Sequence, residues 1–132
     1  DTARSRGLGD VYKRQATIEA VAYQTHDLFE AMKHDGLRPK IVKVDGGMVM
    51  NNWFSQFLSD IVNVKVLRPK VQETTALGAA FMAGLNIGVY KSLKDISKNW
   101  QLDKKFSSKM KNSSRNILID GWEKAVKRAL IN

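Results

Sequence analysis

Apolar residues recur at three- and four-residue steps between Ala16 and Lys33, where Ile18, Val21, Ala22, Thr25, Leu28, Phe29 and Met32 form one stripe. Glu19, Gln24, Asp27, Glu30 and Lys33 fall largely off it, so the spacing predicts an amphipathic helix. His34-Asp35-Gly36 is a stop signal, with Gly36 as the left-handed cap. Beyond Pro39 the pattern changes. Ile41 to Val44 is a short apolar run that reads as a buried strand, and Gly46-Gly47 follows Asp45 at once. Helical spacing returns with Trp53, Phe54, Phe57, Leu58, Ile61 and Val62, in a helix starting near Asn51 or Asn52.

Val64 to Leu67 predicts a second strand with Lys65 pointing outward, ended by Arg68-Pro69. Thr74 or Thr75 then caps a helix that runs to Asn86. That helix is rich in small residues: Ala76, Gly78, Ala79, Ala80, Ala83 and Gly84. A mid-helix glycine costs about 1 kcal/mol relative to alanine, so something should want close approach at Gly78. Tight packing on the sheet is the first account. A surface for a nucleotide or a neighbouring domain is the second.

Ser92 to Lys98 predicts a short helix capped by Ser92, and Asn99 to Ser114 a loop pinned at Trp100, Phe106 and Met110. Ile117 to Leu130 predicts a terminal helix with Leu118, Trp122, Ala125, Val126 and Ala129 on one face. The order helix–strand–helix–strand–helix over 16–86 gives an α/β layer with at least two strands. So little chain does not cover both faces of a sheet, and the expectation is a piece of a larger domain.

Asp1 to Gln15 is polar and without periodicity. Asp10-Val-Tyr-Lys-Arg-Gln15 resembles the translation of a transposon end used to fragment DNA for sequencing. Residues 1–15 are therefore expected to be a non-native, adaptor-derived or disordered segment, with natural sequence from Ala16 onward. An ordinary flexible arm is the alternative.

Composition narrows the classes. The chain has 132 residues, 43% of them hydrophobic, and no cysteine. Disulfide frameworks, cysteine metal sites and thiol nucleophiles are excluded. No run of about 18 apolar residues appears. The net charge of +9 would suit nucleic acid, but residues 16–90 carry seven basic and seven acidic groups. The excess lies in 91–132, with eleven basic and four acidic groups and no stacking pattern of aromatics, so a solvated basic face is expected.

The chemistry is sparse. There is no Ser/His/Asp set, no paired-carboxylate signature and no Walker-type phosphate loop. His26 and His34 lack partners at metal spacing and are expected at the surface. Strand, glycine turn and helix N-terminus over 41–52 can receive a nucleotide, because glycines admit a ligand to the backbone and the first N–H groups of a helix are unpaired. The same arrangement also serves as plain connectivity. Asp45, at the end of its strand, caps or fixes the turn, or positions a metal-bound water.

Together these stretches resemble the C-terminal part of the FGGY carbohydrate kinases, and within that family the glycerol kinase branch. The residues that carry the likeness are Ala16-Thr-Ile-Glu19 through Thr25, Val44-Asp-Gly-Gly47 with Asn51-Asn52, Gln56-Phe57 and Asp60-Ile61. Further on they are Arg68-Pro69, Glu73-Thr-Thr-Ala-Leu-Gly-Ala-Ala80 with Ala83-Gly84, Asn99-Trp100, Asp103 and Phe106, and Gly121-Trp122 with Ala125-Val126 and Arg128-Ala129.

The resemblance implies part of the second domain of an actin-like, RNase H-type ATPase fold: a nucleotide-binding part at 16–90, then a C-terminal loop and helix at 91–132 packing on it. It implies transfer of the ATP γ-phosphoryl group to glycerol with magnesium, in a cytoplasmic, homo-oligomeric parent enzyme. Gly47 and Asn51 match the positions that contact the adenosine of ATP, and Gly46 supplies the close backbone. Met48 stands where the family has a smaller residue, which narrows the adenine pocket. The catalytic aspartate, glycerol-binding residues and phosphate loops of the family lie upstream of these motifs, so no catalytic residue and no metal ligand is assigned here. The chain alone is expected to lack kinase activity and to bind ATP weakly or not at all.

Overall fold

The computed structural model describes residues 8–131. Its elements are helix α1 (Leu8–His34), strand β1 (Ile41–Lys43), a 3-10 turn (Gly47–Met50), helix α2 (Asn52–Val62) and strand β2 (Lys65–Pro69). Helices α3 (Thr74–Asn86) and α4 (Leu93–Ser97), strand β3 (Leu102–Phe106) and helix α5 (Asn112–Ala129) follow. The sheet order is β1-β2-β3, with β1 parallel to β2 and β3 antiparallel to it. Parallel neighbours need a crossover, and α2 supplies it, giving a βαβ unit.

Helix α2 is the centre of the core. Phe54, Phe57, Leu58, Ile61 and Val62 are buried, against Ala22, Tyr23 and Phe29 of α1, Val66 of β2 and Phe106 of β3. Tyr23 bridges α1 to two neighbours, meeting Phe57 edge-on at 5.7 Å and stacking on Trp122 of α5 at 5.4 Å. The Trp122 indole also donates to Asp27 at 2.8 Å.

Helix α1 ends as its sequence predicts. Gly36 has φ +84°, its N–H donates to Lys33, and the Leu37 N–H reaches back to Met32 at 2.9 Å. The start differs: residues 8–15, expected to lie outside the fold, continue the helix, while residues 1–7 are outside the described residues. Lys13, Arg14 and Gln15 are good helix formers, the Thr17 hydroxyl donates to Lys13 and the Gln15 amide to Glu19, so this exposed extension is locally supported.

Four further expectations change. β1 is an edge strand rather than a buried one, with Ile41 exposed. Residues 102–106, expected in a loop, form β3, where only Phe106 is buried. Helix α5 starts at Asn112, ahead of Ile117, because the buried Arg115 anchors its first turn. His26 is largely covered and lies 3.6 Å from Asp27 and 3.5 Å from Glu30, whereas His34 is exposed.

Helix α3 is loosely packed for its length. Only Gly84 is buried, where the Tyr90 ring would lie 2.9 Å from an added Cβ. An added Cβ at Gly78 meets nothing within 4 Å. Packing therefore accounts for the glycine at 84, and the packing account of Gly78 is not realised among the described residues.

Candidate functional site

The turn between β1 and α2 is built in layers. The Val44 N–H extends the ladder past β1 by donating to Leu67 at 3.1 Å. Gly46 then takes φ 83° and ψ 172°, a region open in practice only to glycine. Gly47 opens the 3-10 turn without a positive φ, and a Cβ there would meet nothing within 4 Å. The buried Val49 pins the turn to the core while Met48 and Met50 stand half exposed beside it.

Asn51 closes the turn and opens α2. Its N–H donates to Met48 at 3.2 Å, and its side-chain oxygen accepts from the N–H groups of Trp53 at 3.0 Å and Phe54 at 3.3 Å. This is an N-cap, which commits the oxygen of the exposed Asn51 side chain and leaves its amide nitrogen free to act as a donor. Gly46, Gly47 and Asn51 thus sit within one turn, with glycine backbone and an amide donor on its open side.

Three polar groups outside the turn hold it. The Ser55 hydroxyl donates to Val49 at 2.8 Å. Thr74, the first residue of α3, donates its hydroxyl to the Asp45 carboxylate. Asp45 therefore acts as the loop-fixing acid, and Thr74 serves it rather than capping α3, whose N-cap residue Glu73 makes no side-chain capping bond. Arg68 is buried, and its Nη1 donates to the carbonyls of Val49 at 2.8 Å and Met50 at 3.2 Å and to the Asn52 side chain at 3.2 Å. Sequence reasoning treated Arg68 as a strand terminator. The available signal was an arginine continuing the apolar run Val64-Lys-Val-Leu67, since a buried arginine must find several acceptors.

A cleft of about 310 Å³ opens beside the turn, between α1 and β1, lined by Val21, Thr25, Val42, Asp45, Met48 and Phe54. It offers an apolar wall with the Asp45 carboxylate and the Lys43 side chain at its edge, suited to positioning a ligand. Among the described residues no group of three or more His, Asp or Glu side chains could hold a metal ion. No helix there is long and apolar enough to cross a membrane.

A mixed α/β sheet with a glycine turn leading into a capped helix is the architecture of the C-terminal domain of actin-like ATPases of the sugar-kinase type. The sequence profile of the FGGY family of carbohydrate kinases, C-terminal domain, matches residues 4–87, and the chain belongs to that family. It is 52% identical over 125 residues to glycerol kinase 1 of Pseudomonas aeruginosa, covering 95% of this chain and 25% of that one. Against the glycerol kinase of Gluconobacter oxydans it is 50% identical, covering 94% and 24%. The chain thus spans about a quarter of the length of these relatives.

Among solved structures, Plasmodium falciparum glycerol kinase with ADP superposes with a TM-score of 0.74 at 37% identity, covering 89% of this chain and 24% of that one. A ligand-bound xylulose kinase from Lactobacillus acidophilus superposes at 0.72 with 23% identity, covering 87% and 24%, and shares the fold.

Proposed function

We propose that this chain supplies the adenosine side of an ATP site in a kinase that transfers the γ-phosphoryl group to glycerol. The observation that carries the proposal is Gly47. Its backbone does not need glycine and nothing in the described chain crowds it, so beside the Gly46 bend and the Asn51 cap it leaves room for a group from outside. Gly46 shapes the backbone for that approach, and the Asn51 amide donates to the nucleoside. Glycerol is preferred over a pentulose because the relatives at 52% and 50% identity are glycerol kinases.

We take the whole enzyme to be cytoplasmic and homo-oligomeric on the strength of its family. Its magnesium would arrive with the ATP phosphates, since the described residues do not form a metal site. The chemistry requires groups around the γ-phosphate that the described residues do not assemble, so the chain alone is expected to turn over no glycerol. Calorimetric titration of the chain with ADP tests the reading. A dissociation constant of about 1 mM is expected, worth about 4 kcal/mol. No heat of binding up to saturating ADP contradicts it.

A further inference from the structure

Arg68 does more than fill the core, and β3 is what aims it. β2 and β3 run in antiparallel register as Val66 to Phe106, Leu67 to Lys105 and Arg68 to Lys104, and then jump to Pro69 opposite Leu102. The jump leaves Asp103 as the unpaired residue of a β-bulge. Without it, alternation along the strand would turn Asp103 to the face opposite Arg68. With it, the Asp103 carboxylate accepts from Arg68 Nε at 2.7 Å. The guanidinium also lies 5.6 Å from the Phe106 ring centre. Arg68 is thereby fixed on one side by β3, and its Nη1 holds Val49, Met50 and Asn52 on the other.

We propose that the Asp103–Arg68 pair is a positioning device for the nucleotide turn, setting where the Gly47 backbone and the Asn51 amide present themselves. The inference rests on the nucleotide reading of that turn. Two observations point the same way. Arg68 spends three of its hydrogen bonds on the segment 49–52 that follows the glycines. The acid that orients it comes from residue 103, beyond the 4–87 stretch that the family profile matches, through a local break in strand pairing. Asp103 acts through Arg68, whose Nε its carboxylate accepts from.

The test uses the 132-residue chain labelled with 15N, with ADP as probe. D103A and D103N are the first variants, because Asp103 is 40% exposed and lies outside the buried core cluster. R68K keeps the charge but lacks the fork that spans β3 and the turn. Each variant is expected to move the amide resonances of Gly47, Val49 and Asn51, to leave the Trp122 indole signal in place, and to weaken ADP about ten-fold. D103E, which keeps an acceptor, should restore part of both.

A D103A spectrum unchanged at Gly47 and Asn51 overturns the proposal, as does an equal disturbance at Trp122. If the unsubstituted chain shows no response to ADP, the nucleotide reading falls. The positioning claim is then still decided by the turn resonances alone.

Discussion

The Thr74 hydroxyl donates to the Asp45 carboxylate, tying the first residue of α3 to the residue that precedes the glycine turn. Helix α3 has only Gly84 buried, and this bond ties its first turn to the residues that lead out of β1. An exposed hydrogen bond of this kind is worth about 0.5–1.5 kcal/mol. The isosteric change T74V is therefore expected to spare the global unfolding midpoint and to speed amide exchange in the first turn of α3, at Leu77 and Gly78. Unchanged exchange there would mean that the helix is held by something else.

Gly46 and Gly47 should respond differently to alanine. At Gly46 the positive φ penalises any Cβ, and Gly46→Ala is expected to cost about 1–3 kcal/mol in urea unfolding. At Gly47 the space is open and φ is not positive, so Gly47→Ala should cost under about 1 kcal/mol. The same change should weaken ADP more than it weakens the fold. Equal stability losses at the two positions would contradict the separation of backbone and ligand roles.

Arg115 anchors α5 to α2. It is buried, donates to the Asp60 carbonyl, to Asn112 at 2.7 Å, to Ser108 at 2.8 Å and to the Met110 carbonyl at 3.2 Å. The Asp60 carboxylate meanwhile accepts from the N–H groups of Lys109 and Met110. R115M leaves these acceptors unpaired, and a loss of about 2–3 kcal/mol is expected by denaturant titration. Asn51→Ala, which removes the cap of α2 together with the amide proposed to meet the nucleoside, should cost about 1 kcal/mol of stability.

Burial pushes the Tyr23 phenol above its ordinary value of 10.0, and the nearby Glu19 carboxylate adds to the shift. The fold favours the neutral phenol. The stability linked to this group is thus full below the unfolded value and declines as pH rises through the folded one. Urea midpoints should fall as pH rises above the ordinary phenol value of 10.0, and Y23F should flatten that decline. An identical alkaline profile in Y23F would contradict the assignment.

Legibility in the sequence followed local physics. The Gly36 stop, the Ser92 cap and the α2 stripe act within a few residues, and each forms where its pattern places it. β3 was hidden because Leu102, Asp103, Lys104 and Lys105 are all exposed and show no apolar alternation; pairing with β2, not burial, makes it a strand. The early start of α5 depends on Arg115 reaching Asp60, which is 55 residues away in sequence. At the turn, Gly46, Gly47 and Asn51 were legible as a unit. The Arg68 and Thr74 supports were not, because their acceptors come from other elements.

The central claim is that the turn from Gly46 to Asn51 receives a nucleoside. Titrating ADP into the 15N-labelled chain tests it most directly. The account predicts that the first and largest amide shifts fall on Gly46, Gly47, Met48 and the Asn51 side chain. Shifts confined to the lysine-rich stretch 98–111, or spread evenly over the basic surface, would contradict it.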